Sequence, residues 1–527
     1  MNTKNQTLMR IGLLVGIIIF INIISIRIFQ RFDLTESKAY TLSDASKNLV
    51  KNLDDKFIAK AYFSGDLPAP YNNYRRYLQD QLDEYRAYSN GNFQYEFIDP
   101  SGKEDAIKEA QRYGIPEVQV QVIKEDKMQV EKAVMGVVFM YGDKQETIPV
   151  VKELEKLEYD ISLNIKKLSQ SEQKKVGILS GHGEPVLDKM KEFHQLLQQQ
   201  YQVQTVSLAN GAEVPMDISA LVVVAPNEKL QDWETYLIDQ YIMKGGKVGF
   251  LLNKVKVASL QEQMGQPLDV NLDKLLENYG VRINTDMVRD TRCANITIQQ
   301  QVGPFMIPSQ VQYPYIPVAS DFNPKNIIVK NLQPILFYFV SSIDTTLAEK
   351  KGVRLEVLVT SSGKSGRMQN VFPISPTMQY TQEMFQEPRL PLAVTLEGNF
   401  RSAFENSIPM LDSAMQGKID FAQKQNSCSN GRILVIGDGD FVVNETGGSA
   451  SNALFAGNLI DWLIDDVGLT TIRSRETANR PLDEVESGTK TLVKSLNLVV
   501  PPVLVIVFGV IRWRMRALRK KRLEMAA

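Results

Sequence analysis

Hydrophobic positions are crowded at the two ends of this chain and patterned in between. Residues 8–29 read LMRIGLLVGIIIFINIISIRIF, with Asn22 as the strongly polar interior residue. A helix needs about 20 such residues to cross the hydrocarbon core of a bilayer. The run is longer than the apolar region of a signal peptide and has no small-x-small cleavage site, so it predicts an uncleaved anchor. Residues 492–511, LVKSLNLVVPPVLVIVFGVI, predict a second. Pro501 and Pro502 would kink that helix, which a membrane tolerates when neighbours re-satisfy the freed carbonyls.

Between the anchors the period switches repeatedly between that of strands and that of helices. Ser43 is a candidate N-cap for a helix reaching Leu53. Strands are predicted at 56–64 and 93–98 around a helix at 74–89, and a helix at about 103–113 stops at Gly114. Strands at 118–123, 133–141 and about 146–150 precede a charged helix at 152–168. The order β-α-β-α-β-β-α is that of a thioredoxin-like domain spanning 40–168, with Pro116 placed before the hairpin as in that fold. Its CxxC pair is absent, so redox chemistry is not expected.

After a polar linker at 170–175, short apolar strands at 176–180, 203–208, 221–225 and 247–252 alternate with helices at 186–201 and 231–244. Such strands predict a parallel sheet covered on both faces. A helix at 272–279 stops at Gly280. From about 289 to 426 Pro, Gln, Ser and aromatic residues increase, which predicts a β-rich insertion with strands at 355–360 and 392–397. GRILVIG at 431–437 resumes the buried-strand pattern, and a helix at 451–464 completes a second domain at 172–470. Residues 471–491 then read as a polar connector.

Charge changes the picture chiefly at the C-terminal end. The 527 residues carry a net charge of -1, spread through the middle, which argues against nucleic-acid binding. Directly after the second apolar run come Arg512, Arg514, Arg516, Arg519, Lys520, Lys521 and Arg522. Such a cluster marks the cytoplasmic side. Two crossings put both ends on one side, so 1–7 and 512–527 are expected inside and about 460 residues outside. Lys4 and Arg10 before the first anchor are balanced by Arg27 and Arg31 after it. Two histidines, His182 and His194, exclude a multi-histidine metal site, and Cys293 and Cys428 could pair or stay free.

Two turns carry candidate chemistry. Gly181-His182-Gly183-Glu184-Pro185 lies at the C-terminal end of the first strand of the parallel sheet and is expected to open a helix, where ligands of open α/β sheets bind. It lacks the third glycine of a dinucleotide fingerprint and the Lys-Ser/Thr of a phosphate loop. Asp438-Gly439-Asp440, followed by Asn444, sits at the matching edge of the last strand, where two carboxylates could hold a cation or polar ligand. Each also reads as a plain structural turn. No nucleophile lies in a G-x-S-x-G elbow, and Ser361-Ser362-Gly363-Lys364-Ser365-Gly366 reads as an exposed flexible loop.

In order along the chain, RFDLTESKAYTLS (31–43), KKVGILSGHGEP (174–185), ILVIGDGDFVVN (433–444) and NLVVPPVLVIVFGVIRWRMR (497–516) resemble GldG, an auxiliary component of ABC transporters associated with bacterial gliding motility. The resemblance implies a separate ATPase and a multi-helix permease as partners, and an inner membrane with a periplasm outside it. It also implies a Rossmann-like second domain similar to class I glutamine amidotransferases, here without their nucleophilic cysteine. The expectation is therefore an α/β, non-catalytic subunit without cofactor, binding an envelope polymer or protein substrate, with its basic tail against lipid headgroups or the ATPase. A tethered hydrolase or metal-dependent enzyme and an envelope scaffold are the alternatives.

Overall fold

A computed structural model describes residues 41–476 and 487–524, apart from 66, 69–70, 125–126, 171, 258–262, 303, 412–414, 445–448 and 465–466, together with Leu13 and Gly16. The expected first anchor lies almost wholly outside the described residues.

The first module opens with α1 (Asp44–Lys51), capped by the Ser43 side chain. A four-stranded mixed sheet follows, built from β1 (Phe57–Phe63), β2 (Phe93–Ile98), β5 (Met135–Tyr141) and β6 (Lys144–Ile148), in the order β2-β1-β5-β6. Strands β1 and β2 run parallel, whereas β5 is antiparallel to both its neighbours. Helices α2 (Tyr74–Tyr88) and α4 (Leu157–Ser169) cover one face, where Phe57, Ala59 and Phe63 meet Leu78, Leu82 and Ile161. Helix α3 (Glu104–Arg112) covers the other through Ala110, against Tyr62 and Val138. The predicted strand at 118–123 leaves this sheet. It forms β3 (Val118–Lys124), paired with β4 (Lys127–Ala133) in a separate ribbon. Strand β4 was not legible because Met128 and Val130 stay exposed and no apolar face marks it.

The second module is built on β7 (Lys175–Ser180), β8 (Gln202–Ser207), β9 (Ile218–Val224), β10 (Val248–Leu251), β14 (Arg354–Thr360), β16 (Pro391–Arg401) and β17 (Ser427–Ile436). The short Asp321–Phe322 strand completes an eight-stranded sheet. Strands β8, β7, β9, β10 and β17 are parallel neighbours in that order. The expected all-parallel sheet is in fact mixed, because β16, β14 and Asp321–Phe322 extend it antiparallel beyond β17. The β-rich stretch is thus partly absorbed into the main sheet.

Side-chain alternation explains why the central strands read as continuous apolar runs. Leu221 and Val223 of β9 enter one core, and Ala220, Val222 and Val224 enter the other. Ile433 and Val435 of β17 join the first, and Leu434 and Ile436 the second. A strand buried on both faces has no polar positions to alternate with. Helices α6 (Asp232–Met243) and α7 (Asp273–Tyr279) cover the first face; α5 (Lys191–Gln198) and α8 (Ala450–Leu463) cover the second.

Buried carboxylates pin the remaining segments. On β11 (Asp286–Asp290), Asp286 accepts the backbone N–H of Ser342 at 2.8 Å and its hydroxyl at 2.5 Å. Asp290 takes the same pair from Ser362, both at 2.6 Å. The expected exposed loop at 361–366 is therefore a buried clamp, with Ser361, Ser362 and Ser365 all inside. The predicted connector likewise contains helix, since α9 (Val467–Glu476) occupies its start. Helix α10 (Ser487–Glu524) is long and apolar enough, over Gly488–Leu518, to cross a membrane. It extends the predicted 492–511 at both ends and includes both prolines and the basic cluster.

Asp239 on α6 accepts hydrogen bonds from Tyr279 Oη (2.8 Å), Ser402 Oγ (2.6 Å), the Ala403 amide (2.9 Å) and Gln240 Nε2 (3.0 Å). Asp239→Ala would strand several buried donors at once. We expect a loss of about 3 kcal/mol in the second module, measured as a lower urea midpoint; an unchanged midpoint would show that the knot contributes nothing.

Candidate functional site

Strand β7 ends at Ser180, and the chain turns through Gly181 (φ +124°) and Gly183 (φ +75°), backbone angles that favour glycine. The carbonyl of His182 accepts the amides of Asn227 (2.8 Å) and Glu228 (2.9 Å), which ties this turn to the loop after β9. The buried imidazole sits between two carboxylates. Its Nδ1 lies 3.2 Å from Glu184 and its Nε2 3.0 Å from Glu234. Glu184 also accepts the His182 amide at 2.6 Å, and Glu234 accepts the amide of Gln231 at 2.8 Å, closing the capping box of α6.

Burial opposes charge on His182, but hydrogen bonds to Glu184 and Glu234 outweigh it and push its pKa up to about 9. For Glu184 burial again opposes the charge, and the contacts with His182 prevail, holding its carboxyl below the usual range. A protonated imidazole cannot accept a proton, so His182 is unsuited to general-base chemistry near neutrality. The helix expected at 186–201 starts later, at Lys191. A 3₁₀ turn, Leu187–Met190, stands between the loop and α5, so α5 does not open at the GHGE turn. A cavity of about 380 Å³ opens beside the turn, lined among others by Ser180, Gly181, Glu184, Asp188 and Thr205.

The Asp438 turn is equally spent on structure. Fully buried Asp438 accepts the amides of Tyr338 (2.6 Å), Asp440 (2.7 Å) and Phe441 (3.2 Å). Burial and the neighbouring Asp440 carboxylate raise its pKa, and burial raises that of Asp440. Gly439 packs onto the Leu251 carbonyl and Ala225, where a Cβ would come within 2.7 Å of both. Its amide donates to Asn253 Oδ1 (2.7 Å), while Asn253 Nδ2 donates to Asp440 (2.9 Å). The buried Oδ1 of Asn444 has no hydrogen-bond partner among the described residues.

Strands β9 and β10 stand between β7 and β17. Three strand spacings put the GHGE and DGD turns about 14 Å apart, linked through the Ala225–Asn227 loop rather than sharing a pocket. Among the described residues no three His, Cys, Asp or Glu side chains are placed to hold a metal. His194 is half-buried on α5, and both cysteines are free. Glu234, the second partner of His182, escaped sequence reasoning; its one local signal is the Gln231-x-x-Glu234 capping spacing.

The His182 pKa lies above the 6.5 of a free imidazole, so its contribution to stability is complete below pH 6.5 and is lost as pH rises through about 9. An NMR titration should show a protonated imidazole at pH 7.5; a midpoint near 6.5 would contradict the pairing. His182→Leu should cost about 3–5 kcal/mol by leaving two buried carboxylates unpaired.

Comparison with known proteins bears on the whole body. A family model described as an ABC-type uncharacterized transport system matches residues 173–465. A second model, a domain of unknown function, matches 36–140. An uncharacterized protein of Borreliella burgdorferi is 26% identical, covering 97% of this chain and 98% of its own length. Among solved structures, the mmIFT52 N-terminal domain is similar at a TM-score of 0.33 and 12% identity, over 55% of this chain and 96% of its own. A ThuA-like protein from Parabacteroides merdae is similar at 0.27 and 10%, over 56% and 90%. The first match spans more than half of the sequence, and the chain therefore belongs to the ABC-type uncharacterized transport system family of auxiliary components.

Proposed function

We propose that this chain is a non-catalytic auxiliary subunit of an ABC transporter of the gliding-motility type. The family match over 173–465 carries the reading. The long apolar helix with its basic end supports membrane attachment. In this reading residues 8–29 supply a second anchor, both termini are cytoplasmic, and the body stands in the periplasm of a bacterial inner membrane. A separate permease supplies the path and a separate ATPase the energy, since the sequence contains no phosphate-binding loop.

The body would bind substrate or partner above the permease. Its sheet order β2-β1-β5-β6 with β5 antiparallel supports a thioredoxin-like first module. Five parallel strands between helical layers support a Rossmann-like second module. The cavity beside Gly181 and Glu184 is the favoured place for ligand contact. The spent hydrogen bonds of His182, Glu184 and Asp438 speak against a tethered enzyme there.

The test is affinity purification of the full chain from its native membrane in mild detergent. A permease and an ATPase should co-purify in fixed ratio; a chain that retains neither would overturn the reading.

A further inference from the structure

Helix α9 lies between the two modules and is held there by apolar contacts and by a polar cluster. It packs against α8 of the second module and against α1 and α4 of the first. Among its described side chains, Leu469 and Ile472 meet Tyr159 and Leu163 of α4. The main cores of the two sheets contain no described side chain of α9.

Arg473 adds a polar cluster to this grip, and it is only 4% exposed. Its guanidinium donates to Tyr159 Oη at 2.8 Å, to Asn458 Oδ1 at 2.6 Å and to Asp461 Oδ2 at 3.3 Å. It also stands 4.9 Å from the centroid of the Tyr159 ring. Asp461 accepts further bonds from Tyr201 Oη (2.7 Å) and Thr470 Oγ1 (3.0 Å). Gln200 Nε2 donates across to Tyr159 Oη at 3.2 Å. Tyr159 belongs to the first module, whereas Asn458, Asp461, Gln200 and Tyr201 belong to the second. One side chain therefore bonds both.

The same helix also touches α1. A Cβ built on Gly468 would lie 3.8 Å from that of Ala45 on α1. In sequence α1 follows the N-terminal apolar run, and α9 precedes the C-terminal one.

We propose that α9 is a latch. It fastens the two modules to each other and joins the segments next to both apolar ends, and its release frees the modules without unfolding either sheet. A buried ion pair favours all-or-none release, because withdrawing one partner leaves the other charge uncompensated until both reach water. A helix with few buried apolar contacts opens as a local unit below the free energy of global unfolding. The inference rests on these contacts and stands apart from the transport reading.

Hydrogen exchange on the full chain in detergent tests it. Arg473→Met should raise exchange in α9 and along α4 by at least about tenfold, while β1, β5, β9 and β17 keep wild-type protection. Ala45→Cys with Gly468→Cys, whose Cβ separation suits a disulfide, should cross-link on oxidation and restore protection of α9 in the Arg473→Met background. Unchanged exchange, protection lost throughout the sheets, or a cysteine pair that fails to cross-link or to protect α9 would each overturn the latch.

Discussion

A carboxylate taken out of water must recover its hydrogen bonds from the chain, and the layout of this body depends on how that demand is met. Asp239, Asp286, Asp290, Asp438 and Asp461 are all buried, and each draws donors from a segment remote in sequence. Left unpaired, any one of them would cost several kcal/mol. Apolar burial builds the layers, but it is non-directional and does not fix how a long loop returns to a sheet. The carboxylates add that direction: Asp286 and Asp290 fasten two serine loops to one strand, and Asp438 fastens the 338 segment to the end of β17.

The same constraint acts at the turns that looked most chemical. The histidine of the GHGE turn is held between two glutamate side chains, and Asp438 accepts three amides. The turns are hydrogen-bonded supports at the sheet edge.

Much of the layering was legible in the sequence, because period and burial are local signals. Strands such as ALVVV and ILVI are apolar at every position, which demands two covered faces, and glycines at 114 and 280 mark helix ends. The long-range pairings were not legible. Nothing near Ser362 indicates Asp290, and nothing near Arg473 indicates Tyr159, so one segment read as an exposed loop and the other as a polar connector. Strand β4 failed for the opposite reason: Met128 and Val130 stay exposed, so its own residues mark no apolar face. The antiparallel extension by β14 and β16 was hidden because neighbour choice in a sheet leaves no mark in a single strand.

The central claim is that this chain serves a transporter without catalysing a reaction of its own. Reconstitution of the partner permease and ATPase in liposomes, with and without this chain, addresses it most directly through the rate of ATP hydrolysis. The account expects that the chain alone hydrolyses no ATP and that adding it changes the rate of the assembled transporter. Hydrolysis by the isolated chain, or a transporter rate indifferent to its presence, would contradict the account.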